Sequence, residues 1–138
     1  MSVNVKSVIT SGLSAGLLIS LSALTMVPVV GNEMNDVLAA RGLPPLSVAA
    51  MIFFCSLSFI NGIALIWLYA FVRKPSSSKI KTAMLVSFLF WFIAYLPANI
   101  SLVAYGFMPV RLTVIGTLWG LGELLLAGLA GSWMYKES

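Results

Sequence analysis

Four long runs without basic side chains constrain the fold of this chain more than any other feature. They cover residues 7–30, 46–72, 82–107 and 112–135. A helix that crosses the roughly 30 Å hydrocarbon core of a bilayer needs about 20 apolar residues, and each run is longer than that. We therefore expect an all-α polytopic membrane protein, a single transmembrane domain over 1–138, with four transmembrane helices in an up-and-down bundle.

Composition excludes several function classes. Hydrophobic residues make up 60% of the chain and charged residues only 9%, against about 25% charged in a soluble domain. Histidine is absent and Cys55 is the only cysteine, so the commonest metal ligand, the usual proton shuttle and an internal disulfide are all missing. General acid–base and metal sites need more convergent groups than this. We predict no enzyme activity, no metal site and no cofactor.

The connections between the runs carry most of the charged residues. In residues 31–45, we expect the sequence through Asp36 to Arg41 to form a short interfacial helix between helices 1 and 2, or an ordered loop, ended by Gly42. The basic loop 73–81 explains the net charge of +4 as a membrane-surface feature, so nucleic acid is not expected as a partner. Pro97, inside the third run, predicts a kink.

Aromatic residues lie near the ends of two runs and in one internal tract. Trp67 and Tyr69, like Trp133 and Tyr135, are expected to anchor at the membrane interface. The tract 88–92 is expected to face lipid or the core, and a bound lipid or pigment is compatible with it.

The basic residues also predict an orientation. Four spans place both termini and the loop 73–81 on one side, with six basic residues: Lys6, Arg73, Lys74, Lys79, Lys81 and Lys136. The other side carries only Arg41 and Arg111. Short cytoplasmic loops carry the excess of lysine and arginine. We therefore predict that both termini are cytoplasmic, and the short loops suit a bacterial inner (plasma) membrane.

Glu123 is the only ionisable carboxylate inside a run. A charge at the bilayer centre costs at least about 2.5–3.5 kcal/mol on insertion scales. Arg111 and Lys136 are roughly 18–20 Å away along a helix, too far to pair with it. Glu123 is then either protonated at neutral pH or paired with a group outside this chain.

Small residues recur at helical spacing on the first and fourth helices. Such stripes let helices approach closely, and the predicted packing positions are Gly12, Gly16, Gly116, Gly120, Ala127 and Gly131. The first and fourth helices would be antiparallel neighbours, with Ser20 at the depth of Glu123. We expect Glu123 to hydrogen-bond with Ser20, Asn61 or Tyr95, which together form the candidate proton- or ligand-binding site.

Three features together resemble uncharacterised small bacterial membrane proteins of four spans. They are the tract from Ile66 to Tyr69, the kink at Tyr95-Leu96-Pro97 and the helix from Trp119 to Trp133. This resemblance implies the fold but no activity. The chain is unlike the small multidrug exporters, whose essential acid lies in the first helix.

Two functions are compatible with the sequence. The first is an accessory or scaffolding subunit of a larger membrane complex, whose partners are the lipid bilayer and other membrane subunits or further copies of itself. The second is a proton-coupled carrier or binder of a small solute or lipophile, centred on Glu123 and acting as an oligomer. A carrier needs a polar, water-reachable cavity at Glu123, whereas a scaffold needs Glu123 buried against a helix and an extended apolar surface.

Overall fold

The computed structural model describes residues 2–137, and Met1 and Ser138, the two ends of the predicted domain, lie outside the described residues. Within that range the chain forms helices and loops without strands. The four long helices are α1 (Val5–Ala39), α2 (Val48–Val72), α3 (Lys79–Ala104) and α4 (Val110–Met134). All four are long and apolar enough to cross a membrane, as the runs predict.

α1 is longer than the first run. It continues through Pro28 and Gly31 to Ala39, so the predicted separate interfacial helix is wrong and most of that segment forms the last turns of α1. Pro28 removes one backbone donor, which membrane helices tolerate. The helix ends where Gly42 adopts a φ of +68° and the Leu43 N–H donates to the Leu38 carbonyl at 2.9 Å, a Schellman motif. At 35 residues, α1 is about 52 Å long and exceeds the hydrocarbon core.

Polar side chains cap the starts of three helices. Asn4, Ser47 and Ser78 each accept a hydrogen bond from a backbone N–H in the first turn of α1, α2 and α3. α3 ends as α1 does, with Gly106 at a φ of +74° and a bond from Phe107 N–H to the Leu102 carbonyl.

α3 changes helical geometry near its proline. It is α-helical over Lys79–Phe90, π-helical over Trp91–Tyr95 and α-helical again over Leu96–Ala104. Pro97 cannot donate a backbone hydrogen bond, and the wider π turn directly precedes it. Such turns occur often at functional sites, and this one places Trp91 and Tyr95 against the bundle interior.

Each helix packs against at least two others. α1 packs against α2 and α4, and α4 packs against α1 and α3. α2 contacts α4 and the first part of α3, Lys79–Phe90. Among the described residues, no Cα atom of α1 lies within 8 Å of a Cα atom of α3.

Three glycines produce the closest helix contact, between α1 and α2. A Cβ added at Gly12 would lie 2.5 Å from Ile63 Cα, and one at Gly16 would lie 2.6 Å from Phe59 Cα. A Cβ at Gly62 would meet the backbone of both glycines. The small-residue stripe of α1 therefore faces α2, whereas the sequence suggested α4.

The small residues of α4 meet several neighbours. Gly131 lies against Ile66 of α2 and Ala15 of α1, and Gly120 against the Tyr95 ring of α3. Ala127 is fully buried. Gly116 has only the tip of Met26 at 4.0 Å, so it permits no close approach.

The two tyrosines near the helix ends lie inside the bundle. Tyr69 and Tyr135 are 1% and 4% exposed, and their rings meet edge to face with centroids 5.9 Å apart. Trp67 and Trp133, two residues earlier in each helix, are exposed. Positions two apart lie on opposite sides of a helix, so at these helix ends the tryptophans face outward and the tyrosines face the core.

We predict that Gly62→Ala destabilises the bundle, because the new methyl group would push apart the backbones of α1 and α2. The expected loss is about 1–3 kcal/mol, as for other overpacked cores, measured as thermal unfolding in detergent. Gly122→Ala is the control, since nothing lies within 4 Å of a Cβ there and alanine favours a helix. Equal stability of the two variants would contradict the close crossing.

Candidate functional site

A polar cluster surrounds Glu123 in the middle of α4. Trp119 lies one helical turn before Glu123, so both side chains share a face. The Trp119 indole N–H donates to Ser22 Oγ of α1 at 2.9 Å, and the Glu123 carboxyl group lies close enough to Ser22 to interact with its hydroxyl. Because an indole N–H only donates, Ser22 accepts from Trp119 and its own proton is available to Glu123.

The other helices contribute Tyr95 and Asn61 to the same cluster. Tyr95, at the end of the π turn of α3, lies close enough to Asn61 of α2 and to Glu123 to interact with both side chains. Gly120 allows this approach, because a Cβ there would lie 2.8 Å from the Tyr95 ring. The Glu123 cluster, defined as Ser22, Asn61, Tyr95, Trp119 and Glu123, thus draws on all four helices.

Three of the four predicted site residues come together, and the fourth does not. Asn61, Tyr95 and Glu123 belong to the cluster, whereas Ser20 is buried with no hydrogen-bond partner for its hydroxyl among the described residues. Ser20 shares the face of Gly12 and Gly16, which packs on α2. Ser22, two residues further on, points to the opposite side and reaches α4.

Glu123 has no cationic partner within the described residues. The two salt bridges there join Arg73 to Glu137 and Arg111 to Glu33. Glu123 is partly buried, and it is not in the walls of two cavities of about 130 and 110 Å³. The geometry can therefore hold a carboxyl group among polar side chains, but neither of these two cavities brings solute to it.

A second polar group joins α3 to α4. The Trp91 indole N–H donates to the Thr117 carbonyl at 2.8 Å, and the Asn99 amide donates to Thr117 Oγ1 at 2.9 Å. The smaller cavity lies beside this group, with Asn99 and Gly116 in its wall. Tryptophan N–H groups in a membrane need acceptors, which is the signal that sequence reasoning left unused for Trp91 and Trp119.

A third polar group ties the two chain ends together. Asn4 N–H donates to the Tyr135 hydroxyl at 3.2 Å, and Lys136 N–H donates to Ser7 Oγ at 2.7 Å. Arg73 Nε lies 3.0 Å from Glu137 Oε1. Sequence reasoning missed these residues, because no local spacing links positions 131 residues apart, such as 4 and 135.

Comparison with protein-family models, curated proteins and solved structures finds no match to this chain. Function must therefore be argued from the geometry of the site itself.

We predict that Ser22→Ala and Trp119→Phe are energetically coupled, because both remove the same hydrogen bond. A double-mutant cycle should give a coupling of about 0.6 kcal/mol, the mean for side-chain hydrogen bonds inside a membrane bundle. Ser56→Ala is the control, since exposed Ser56 bonds only to its own helix at the Ile52 carbonyl. Strict additivity of Ser22→Ala with Trp119→Phe, measured by reversible unfolding in detergent, would contradict the cluster.

Proposed function

We propose that this chain is a non-enzymatic accessory or scaffolding subunit of a larger membrane complex. The observation that carries the proposal is the first half of α2. Residues 51–57 are all exposed, and Ile52 and Phe53 are 62% and 60% exposed. Seven consecutive helical residues point in every direction around the axis, so this half of α2 has no buried face.

The second half of α2, in contrast, has one face that packs against the bundle. Its buried residues are Gly62, Leu65, Ile66 and Tyr69, with the spacing of one helical stripe. No residue of α2 before Gly62 is buried. The helix is thus held in the bundle at one end, and its other end supplies an apolar surface for a neighbouring transmembrane helix.

The Glu123 cluster supports the same proposal. A carboxyl group that lies beside Ser22 of α1 and Tyr95 of α3 can link helices through polar contacts without any cation. In this role Glu123 is neutral and fixes the bundle, while the α2 surface binds the partner. Short loops leave little protein outside the membrane for other tasks.

The proposal includes the membrane in which the chain lies and the orientation of its termini. The six-to-two distribution of basic residues supports cytoplasmic termini, and short loops support a bacterial inner membrane. The partners are other membrane subunits, and the chain itself needs no cofactor.

A carrier centred on Glu123 is the second candidate. It is favoured by the smaller cavity, whose wall includes Met26 and Asn99, one helical turn beyond Ser22 and Tyr95. A hydrated path from this cavity to Glu123 would serve a proton-coupled solute. The cavity holds about 110 Å³ and Glu123 is not in its wall, so the scaffold is better supported.

We predict that Cys55 crosslinks to the partner subunit. Cys55 is exposed within the surface 51–57, so a short cysteine-to-amine crosslinker applied to native membranes should give one discrete adduct, identified by mass spectrometry. The control is Cys55→Ser combined with Leu126→Cys, which moves the only thiol to an exposed position of α4. Adducts from both positions, or from neither, would contradict a specific interface on α2.

We predict that Glu123→Gln leaves the yield, the thermal stability and the Cys55 adduct unchanged, because glutamine keeps a hydrogen-bonding group of the same shape. Glu123→Leu should lower stability by about 1 kcal/mol through loss of the polar contact with Ser22. A carrier would behave differently. Abolition by Glu123→Gln of proton uptake into proteoliposomes, with stability intact, would favour the second candidate.

A further inference from the structure

The larger cavity lies at the end of the bundle where both chain ends meet the loop 73–81. It measures about 130 Å³ and is lined by Ser2, Val3, Ala70, Phe71, Arg73, Tyr135 and Glu137. A water-sized group needs only about 10–15 Å³ on this measure. The cavity can therefore hold a polyatomic group such as a phosphate.

Arg73 supplies a buried positive charge in this cavity. Its side chain is only 8% exposed, and its Nη1 donates to the Lys74 carbonyl, the Ser77 carbonyl and, at 2.9 Å, Ser77 Oγ. The Tyr69 hydroxyl lies beside it. The guanidinium is thus held in one orientation before any ligand arrives, and its planar array of donors matches the oxygens of phosphate.

Glu137 marks the position that an anion would take. Its carboxylate lies 3.0 Å from Arg73 Nε and is 30% exposed. It is held after the end of α4, so it can leave without disturbing a helix. The carboxylate therefore acts as an internal substitute for an external anion.

The surroundings of the cavity favour a lipid as the source of that anion. Phe71, in the wall, is 76% exposed on a helix that faces lipid, so the cavity opens where apolar surface gives way to the loop. Five lysines lie at the same end and are exposed: Lys6, Lys74, Lys79, Lys81 and Lys136. Such a group of basic residues attracts anionic lipids.

We propose that this cavity binds the phosphate group of an anionic phospholipid. Arg73 is the main ligand, Glu137 is the competitor that the phosphate displaces, and Phe71 contacts the start of the acyl chains. The site is independent of the α2 surface and does not rest on the proposed scaffold role.

The test measures lipid binding to the full-length protein in detergent by native mass spectrometry. Phosphatidylglycerol should bind at least about tenfold more tightly than phosphatidylcholine, since a hydrogen-bonded charge pair is worth about 1.5–3 kcal/mol. Arg73→Gln should lower this preference at least severalfold, while the exposed lysines retain the remainder. Glu137→Gln should increase phosphatidylglycerol affinity severalfold, because the competing charge is gone.

Arg111→Gln is the matched control. Arg111 also pairs with a glutamate, Glu33, but its side chain is 75% exposed and lies at the other end of the bundle. It should bind phosphatidylglycerol like the unaltered protein. An equal loss in Arg111→Gln and Arg73→Gln would overturn the site in favour of general charge attraction.

Two further outcomes would overturn the proposal. If Arg73→Gln fails to fold, Glu137→Gln decides: unchanged or weaker lipid binding would contradict displacement. Inorganic phosphate is the second probe. If it stabilises the protein against heat as well as phosphatidylglycerol at equal concentration, the site takes free phosphate and not a lipid.

Discussion

The close crossing of α1 and α2 determines the rest of the arrangement. Gly12, Gly16 and Gly62 bring the two backbones into contact, and side chains at any of these positions would separate them. This contact fixes which way α1 is rotated. Ser20 consequently turns toward α2, and Ser22 turns toward α4, where Trp119 and Glu123 lie. The surroundings of the partly buried Glu123 carboxyl group are therefore a consequence of glycine packing two turns away.

The sequence predicts the helices well because a bilayer imposes length and apolar composition directly. It predicts their ends less well. Pro28 and Gly31 break helices in water, but a transmembrane helix continues through them because the alternative is an unsatisfied backbone in lipid. α1 ends instead at Gly42, where a positive φ lets backbone N–H groups donate to the last carbonyls of the helix.

The sequence predicts the depth of the site but not how the helices that form it are rotated about their axes. Glu123, Asn61 and Tyr95 could be matched by depth alone, and the structure brings them together. The choice between Ser20 and Ser22 depends on which face of α1 meets α2, and that depends on Gly62, a single glycine with no stripe of its own. The same holds for Tyr69 and Tyr135. Their position near the helix ends predicts an interfacial depth, but the sequence does not show that their side chains face the core.

The two ends of the bundle differ in a way that bears on function. At the end with both termini, Asn4, Ser7, Tyr135 and Lys136 are joined by hydrogen bonds, and Arg73 pairs with Glu137. At the other end, the first half of α2 buries none of its residues. A bundle closed at one end can hold α2 in a fixed direction while its free half remains available to another helix. In the proposed scaffold role, the hydrogen bonds between the two chain ends would contribute to assembly indirectly, since loosening them would let α2 tilt and would change the shape of the surface that a partner must match.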